Sequence, residues 1–85
     1  MHALVHVTDV EVVGPHRLRL AFDDGSSGVV DFSHRRWQGV FEPLADPAYF
    51  NRVRVDDEIG TIAWPNGADI APDTLHAWAQ QRPVA

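Results

Sequence analysis

Arg17-Leu18-Arg19-Leu20-Ala21-Phe22-Asp23-Asp24-Gly25-Ser26-Ser27-Gly28-Val29-Val30-Asp31-Phe32 is the stretch on which the fold turns. Leu18, Leu20 and Phe22 alternate with other residues, as do Val30 and Phe32, and a period of two marks strands with one buried face. A two-residue turn at Asp24-Gly25 would put Asp31 on the core face beside Leu18. A three-residue loop, Asp23-Asp24-Gly25, removes that conflict: it suits a type I turn closed by a left-handed glycine, with Phe22 opposite Ser26 and Leu18 opposite Val30.

Towards the N-terminus, Val10 and Val12 join the same face only if the loop before Leu18 has an odd number of residues, and Gly14-Pro15-His16 supplies three. Val12 then lies opposite Leu18, and Glu11 opposite Arg19 as an exposed ion pair contributing about 0.2–1 kcal/mol. The expected core of this sheet is Val12, Leu18, Leu20, Phe22, Val30 and Phe32, with Arg17 and Arg19 outside. Val5 and Val7 have the opposite parity to Val10 and Val12, which predicts a bulge near Thr8-Asp9.

Towards the C-terminus, Trp37 to Leu44 is apolar but non-periodic and reads as an irregular connection across the core. Asp46-Pro47 starts a helical turn over Ala48-Tyr49-Phe50, since aspartate caps free amides and proline at the first helical position forfeits no bond. A second hairpin follows, with Val53, Val55, Ile62 and Trp64 inward and Arg52 and Arg54 outward. Its parity requires an even loop, Asp57-Glu58-Ile59-Gly60, with glycine last to take a positive φ. Trp64-Pro65-Asn66-Gly67 ends the strand in a turn, and Pro72 to Gln81 reads as a helix with Leu75, Trp78 and Ala79 on one face. The expected fold is α+β: a single domain over 1–85, with a small antiparallel sheet of two hairpin units (about five strands), a short helical turn and a C-terminal helix.

Three segments carry a family resemblance: the hairpin around Phe22-Asp23-Asp24-Gly25, the run Gly39-Val40-Phe41-Glu42-Pro43-Leu44-Ala45-Asp46-Pro47-Ala48-Tyr49-Phe50, and the run from Gly60 through Trp64-Pro65-Asn66-Gly67-Ala68-Asp69 to Asp73. With these the chain resembles the domain of unknown function 2442, a group of small bacterial proteins, over nearly its whole length. The resemblance implies an α+β domain with an antiparallel sheet and supplies no catalytic residues. Some members of that family look fused to a helix-turn-helix domain or paired with a small protein in toxin-antitoxin-like arrangements.

Composition narrows the chemistry. The chain has no cysteine, which removes disulfides, thiolate zinc sites and thiol nucleophiles together and suits a reducing cytosol. A formal net charge of -5 opposes direct nucleic-acid binding, which needs a surplus of cations on one face. No apolar run approaches the length that spans a bilayer, and the first residues lack the basic-then-apolar order of a signal peptide, so the expected location is cytoplasmic.

No metal, cofactor or catalytic set is expected. His2 and His6 are spaced as a chelating helix would space them, but in an extended segment they lie about 13 Å apart. Ser33-His34 lacks the geometry of a catalytic triad. Two constellations are candidate partner-binding residues. One is an arginine stripe, Arg17, Arg19, Arg52 and Arg54 with Arg35 and Arg36 beside it, whose plainer reading is a solvated face neutralised by Asp9, Glu11, Asp31 and Asp56. The other is Trp64, Asn66 and Asp69, read either as a recognition loop or as a strand-to-helix connection with Trp64 in the core and Asp69 holding backbone amides.

The function expected from all this is non-enzymatic: an interaction domain that forms a homodimer or pairs with a small protein partner, in a toxin-antitoxin-like or regulatory module, its open sheet edges being ready pairing surfaces. The alternatives are a nucleic-acid-associated regulator using the arginine face, and a small hydrolase or ligand-binding domain.

Overall fold

Parity organises both sheets. A computed structural model describes residues 5–80, running β1 (Val7–Gly14), β2 (Arg17–Phe22), β3 (Ser27–Asp31), a 3-10 helix (Gly39–Ala45), α1 (Pro47–Phe50), β4 (Arg54–Asp56), β5 (Thr61–Ala63) and α2 (Pro72–Gln80). Strands β1, β2 and β3 form one antiparallel sheet in that order, and β4 and β5 form a second. The class is α+β, as the alternation implies. Gln81, expected to close the helix, and His2 lie outside the described residues.

In the first sheet Leu18 pairs with Val30, Arg19 with Val29 and Leu20 with Gly28, while the Phe22 amide donates to the Ser26 carbonyl at 2.9 Å. Asp23-Asp24-Gly25 is therefore a three-residue loop, and Gly25 takes φ 87°. Val12 faces Leu18 and Glu11 faces Arg19, with a break in the ladder between Val7 and Asp9 that leaves Thr8 as the extra residue.

Two details of β1 differ from expectation. Gly14 pairs with Arg17, so the turn itself is Pro15-His16, and a second register shift between Val12 and Gly14 supplies the odd residue. His16 takes φ 54° to close it. Val12 also lies outside the core, at 38% exposure. Its side chain shares the face of Leu18, but it sits on an edge strand near the β1–β2 turn, with β2 on one side of it only.

Trp37 to Leu44 is more regular than its pattern suggests. Residues Gly39–Ala45 wind into a 3-10 helix that contains Pro43 and buries Leu44; short 3-10 turns carry no 3.6-residue period to read. Asp46 then caps α1 by accepting the Ala48 amide at 3.0 Å. In the second sheet Val55 pairs with Ile62 and Asp56 with Thr61 across the expected four-residue loop, and Gly60 takes φ 70°. Val53 precedes the strand but still packs on the core.

The sheets and helices close on one cluster in which Leu18, Leu20, Leu44, Phe50, Ile62 and Leu75 are fully buried, and Phe32 and Trp64 are 1% exposed. Burial of each large side chain contributes about 1.5–3 kcal/mol relative to exposure. Trp64 is the anchor: its ring lies 5.7 Å from Phe50, and its indole N–H donates to the Phe50 carbonyl at 2.9 Å, satisfying the one polar atom it carries inward.

Candidate functional site

Four short segments meet at an aromatic groove of about 350 Å³. The chain leaving β3 supplies Phe32, Arg35, Arg36 and Trp37, and the 3-10 helix supplies Phe41. The strand-to-helix connection gives Asp69, Ile70 and Ala71, and α2 contributes Trp78. Trp37, Phe41, Ile70 and Trp78 are half-buried, while Arg35, Arg36 and Asp69 are exposed at the rim.

Local structure fixes this arrangement. Asp31 accepts the Ser33 amide at 2.9 Å and the Arg35 amide donates to the Phe32 carbonyl at 3.0 Å, so the chain turns sharply after β3 and both arginines follow. His16 braces the far side: its Nε2 donates to the Leu44 carbonyl at 2.7 Å, and its ring lies 5.6 Å from Trp37 and 4.8 Å from Phe50. Trp78 stands edge-on to Phe32, and the Arg35 guanidinium lies 3.8 Å above the Trp78 ring, a cation–π contact.

The arginine stripe comes apart. Arg17 and Arg19 lie on β2 of the first sheet, Arg54 lies on β4 of the second, and Arg52 precedes it. Arg19 pairs with Glu11 at 2.8 Å, Arg17 with Asp31 at 3.5 Å and Arg54 with Asp56 at 3.9 Å, and Arg52 lies 5.8 Å from the Tyr49 ring. These exposed pairs contribute little to stability, but they neutralise the face. Among the described residues Arg35 and Arg36 have no such carboxylate partner.

The Trp64 to Asp69 segment divides in the same way. Trp64 is core, as its alternation with Ile62 implies. Asn66 is structural: its Oδ1 accepts the Ala68 amide at 3.1 Å, and its Nδ2 donates to the Val40 carbonyl at 2.8 Å, tying the turn to the 3-10 helix. Among the described residues the Asp69 carboxylate accepts no backbone amide, unlike the expectation; its main chain bridges Ala63 and the residue lines the groove. Asn66→Ala is therefore expected to cost about 0.5–1.5 kcal/mol, whereas Asp69→Ala stays within about 0.5 kcal/mol of the parent in urea denaturation.

The histidine and acid groups serve the fold. His6 Nδ1 lies 2.9 Å from Asp23 Oδ2, and His76 Nε2 lies 2.9 Å from Asp24 Oδ2, so the β2–β3 loop fastens the chain before β1 on one side and α2 on the other. The Ser26 hydroxyl donates to Asp24 at 2.6 Å. The carboxylate thus stands between serine and histidine, the wrong order for proton transfer from serine to imidazole. Among the described residues no three His, Cys, Asp or Glu side chains gather as a metal site would need.

Hydrogen bonds hold three carboxyls below the usual carboxylate range: from the His6 amide and ring at Asp23, from the Ser26 hydroxyl and amide at Asp24, and from Ser33 at Asp31. Because the folded state then binds protons less readily than the unfolded one, their contribution is present above the ordinary value of 3.8 and is lost as pH falls through the depressed folded values. The melting temperature is expected to fall below about pH 4, and Asp23→Asn with Asp24→Asn should flatten that acid limb. An unchanged limb in the double variant would contradict this assignment.

The family model for a protein of unknown function, DUF2442, matches residues 7–81. The chain belongs to this family. Comparison with curated proteins and with solved structures gave no match. The matched residues include a core anchor (Trp64), a turn former (Asn66) and a groove residue (Asp69). No helix among the described residues is long and apolar enough to cross a membrane.

The groove itself escaped the sequence reading. Arg35, Arg36, Trp37, Phe41 and Trp78 come from segments with no common period. The one local sign was a pair of arginines running directly into a non-periodic aromatic stretch.

Proposed function

We propose that this domain is a non-enzymatic protein-interaction module that pairs with itself or with a small protein partner through the groove between Trp37, Phe41 and Trp78. The observation that carries this reading is an apolar, half-open aromatic surface rimmed by two arginines without ion-pair partners among the described residues. Aromatic and arginine side chains are the types that anchor protein interfaces. The regulatory or toxin-antitoxin-like setting, and the cytoplasmic location, follow from the family resemblance and the composition.

Sheet-edge pairing, the simpler route to a dimer, has less to work with. Strand β1 carries two register shifts, and bulged edges accept a further strand poorly. A nucleic-acid reading loses its main support, since Arg17, Arg19 and Arg54 are paired. The volume of the groove also suits a small ligand, which makes ligand binding the second reading.

A photocrosslinking phenylalanine analogue placed at Phe41 in cells of the native source tests the choice. The expected product is a covalent protein adduct, absent when the same analogue replaces exposed Val29 on the outer face. Adducts only with nucleic acid or small molecules, or equal protein capture at both positions, would overturn the reading.

A further inference from the structure

The groove has an apolar floor and a rim on which Arg35 and Arg36 outnumber Asp69, so it fits an apolar side chain flanked by carboxylates. This chain carries one. Among the described residues five large apolar side chains are exposed, namely Val12, Val13, Val29, Val40 and Ile59, and of these only Ile59 follows two successive carboxylates, Asp57 and Glu58. Asp57 and Glu58 are exposed, and among the described residues neither joins an ion pair.

We infer that the groove receives the β4–β5 turn of a second copy of this chain, Ile59 entering against Trp37, Phe41 and Trp78 while Asp57 and Glu58 meet Arg35 and Arg36. This inference rests on the interaction reading above and names its partner. The turn is pre-shaped: Asp56 Oδ1 accepts the Glu58 amide at 3.0 Å, and the Asp56 carbonyl accepts the Gly60 amide at 2.8 Å. A preformed knob loses little conformational freedom on docking. The Arg35 guanidinium, 3.8 Å over the Trp78 ring, donates no side-chain hydrogen bond among the described residues, so its N–H groups can meet a carboxylate.

The net charge of -5 makes two copies repel, so association needs local opposition of sign, which these two patches provide. Groove and turn are different surfaces on one molecule. Two reciprocal insertions about a two-fold axis close a dimer, whereas a single insertion would propagate into open chains.

Charge exchange tests this directly, by sedimentation of the full chain at high micromolar concentration. The parent is expected to dimerise. Arg36→Glu and Glu58→Arg should each raise the dissociation constant about tenfold, with melting temperatures unchanged at dilutions where the parent is monomeric, because both residues are exposed. An equimolar mixture of the two variants should dimerise again, since one interface carries the swapped pair and the other the native pair. A monomeric parent, variants that dimerise like the parent, or a mixture that stays monomeric would each overturn the inference. Capture of a different protein by the Phe41 crosslinker alongside a monomeric parent would refute self-docking and leave the interaction reading standing; no protein capture at all would refute both.

Discussion

Trp64→Ala is expected to destabilise the fold by about 3–5 kcal/mol, close to the whole stability of a domain this small. The indole is 1% exposed, stacks obliquely on Phe50 and donates its N–H to the Phe50 carbonyl. Truncation therefore removes buried area, opens a cavity and leaves that carbonyl with only the longer bond from the Val53 amide, at 3.2 Å. Trp64→Phe keeps much of the volume and should lose considerably less. Urea denaturation of both variants measures the difference. A Trp64→Ala protein with near-normal stability but no partner capture would restore the recognition-loop reading of this segment.

Gly28→Ala is expected to cost about 1–3 kcal/mol through overpacking. A Cβ on Gly28 would sit 2.5 Å from the Ala79 carbonyl oxygen and 3.0 Å from the Ala79 side chain, so the backbone of α2 would have to move away from β3. Because Trp78 walls the groove from the same helix, this substitution should also loosen the groove. The checks are a lower denaturation midpoint and faster amide exchange in α2. Unchanged stability and exchange would show that α2 does not lie against β3 as described.

The parity of the apolar residues made much of this architecture legible in advance. Leu18 opposite Val30, Glu11 opposite Arg19, the loop closed by Gly25 and the four-residue loop closed by Gly60 all follow from a period of two combined with loop arithmetic. Capping chemistry did the same for Asp46-Pro47. Val12 was misplaced because alternation gives the face of a strand but not how far the covering layer extends beneath it. The turn at Pro15-His16 was misread because a second bulge supplies the same parity as a three-residue loop.

The candidate site was less legible, for physical reasons. A groove built by tertiary convergence leaves no periodic trace, and a 3-10 segment interrupted by Pro43 shows none of its own. The stripe of Arg17, Arg19, Arg52 and Arg54 was visible, but its neutralisation depends on cross-strand and short-range partners that only the fold supplies. The Trp64 to Asp69 segment was visible as a unit, but that Asp69 bridges Ala63 through its main chain and lines the groove depends on the fold.

The account depends on the groove, and not a sheet edge, being the surface that meets a protein partner. Hydrogen–deuterium exchange of the domain, free and in its captured complex, tests this most directly. Protection at residues 35–41 and 69–78, joined by the β4–β5 turn at residues 57–60 where the partner is a second copy, is the predicted result, and protection concentrated along β1, Val7–Gly14, with the groove unchanged would contradict it.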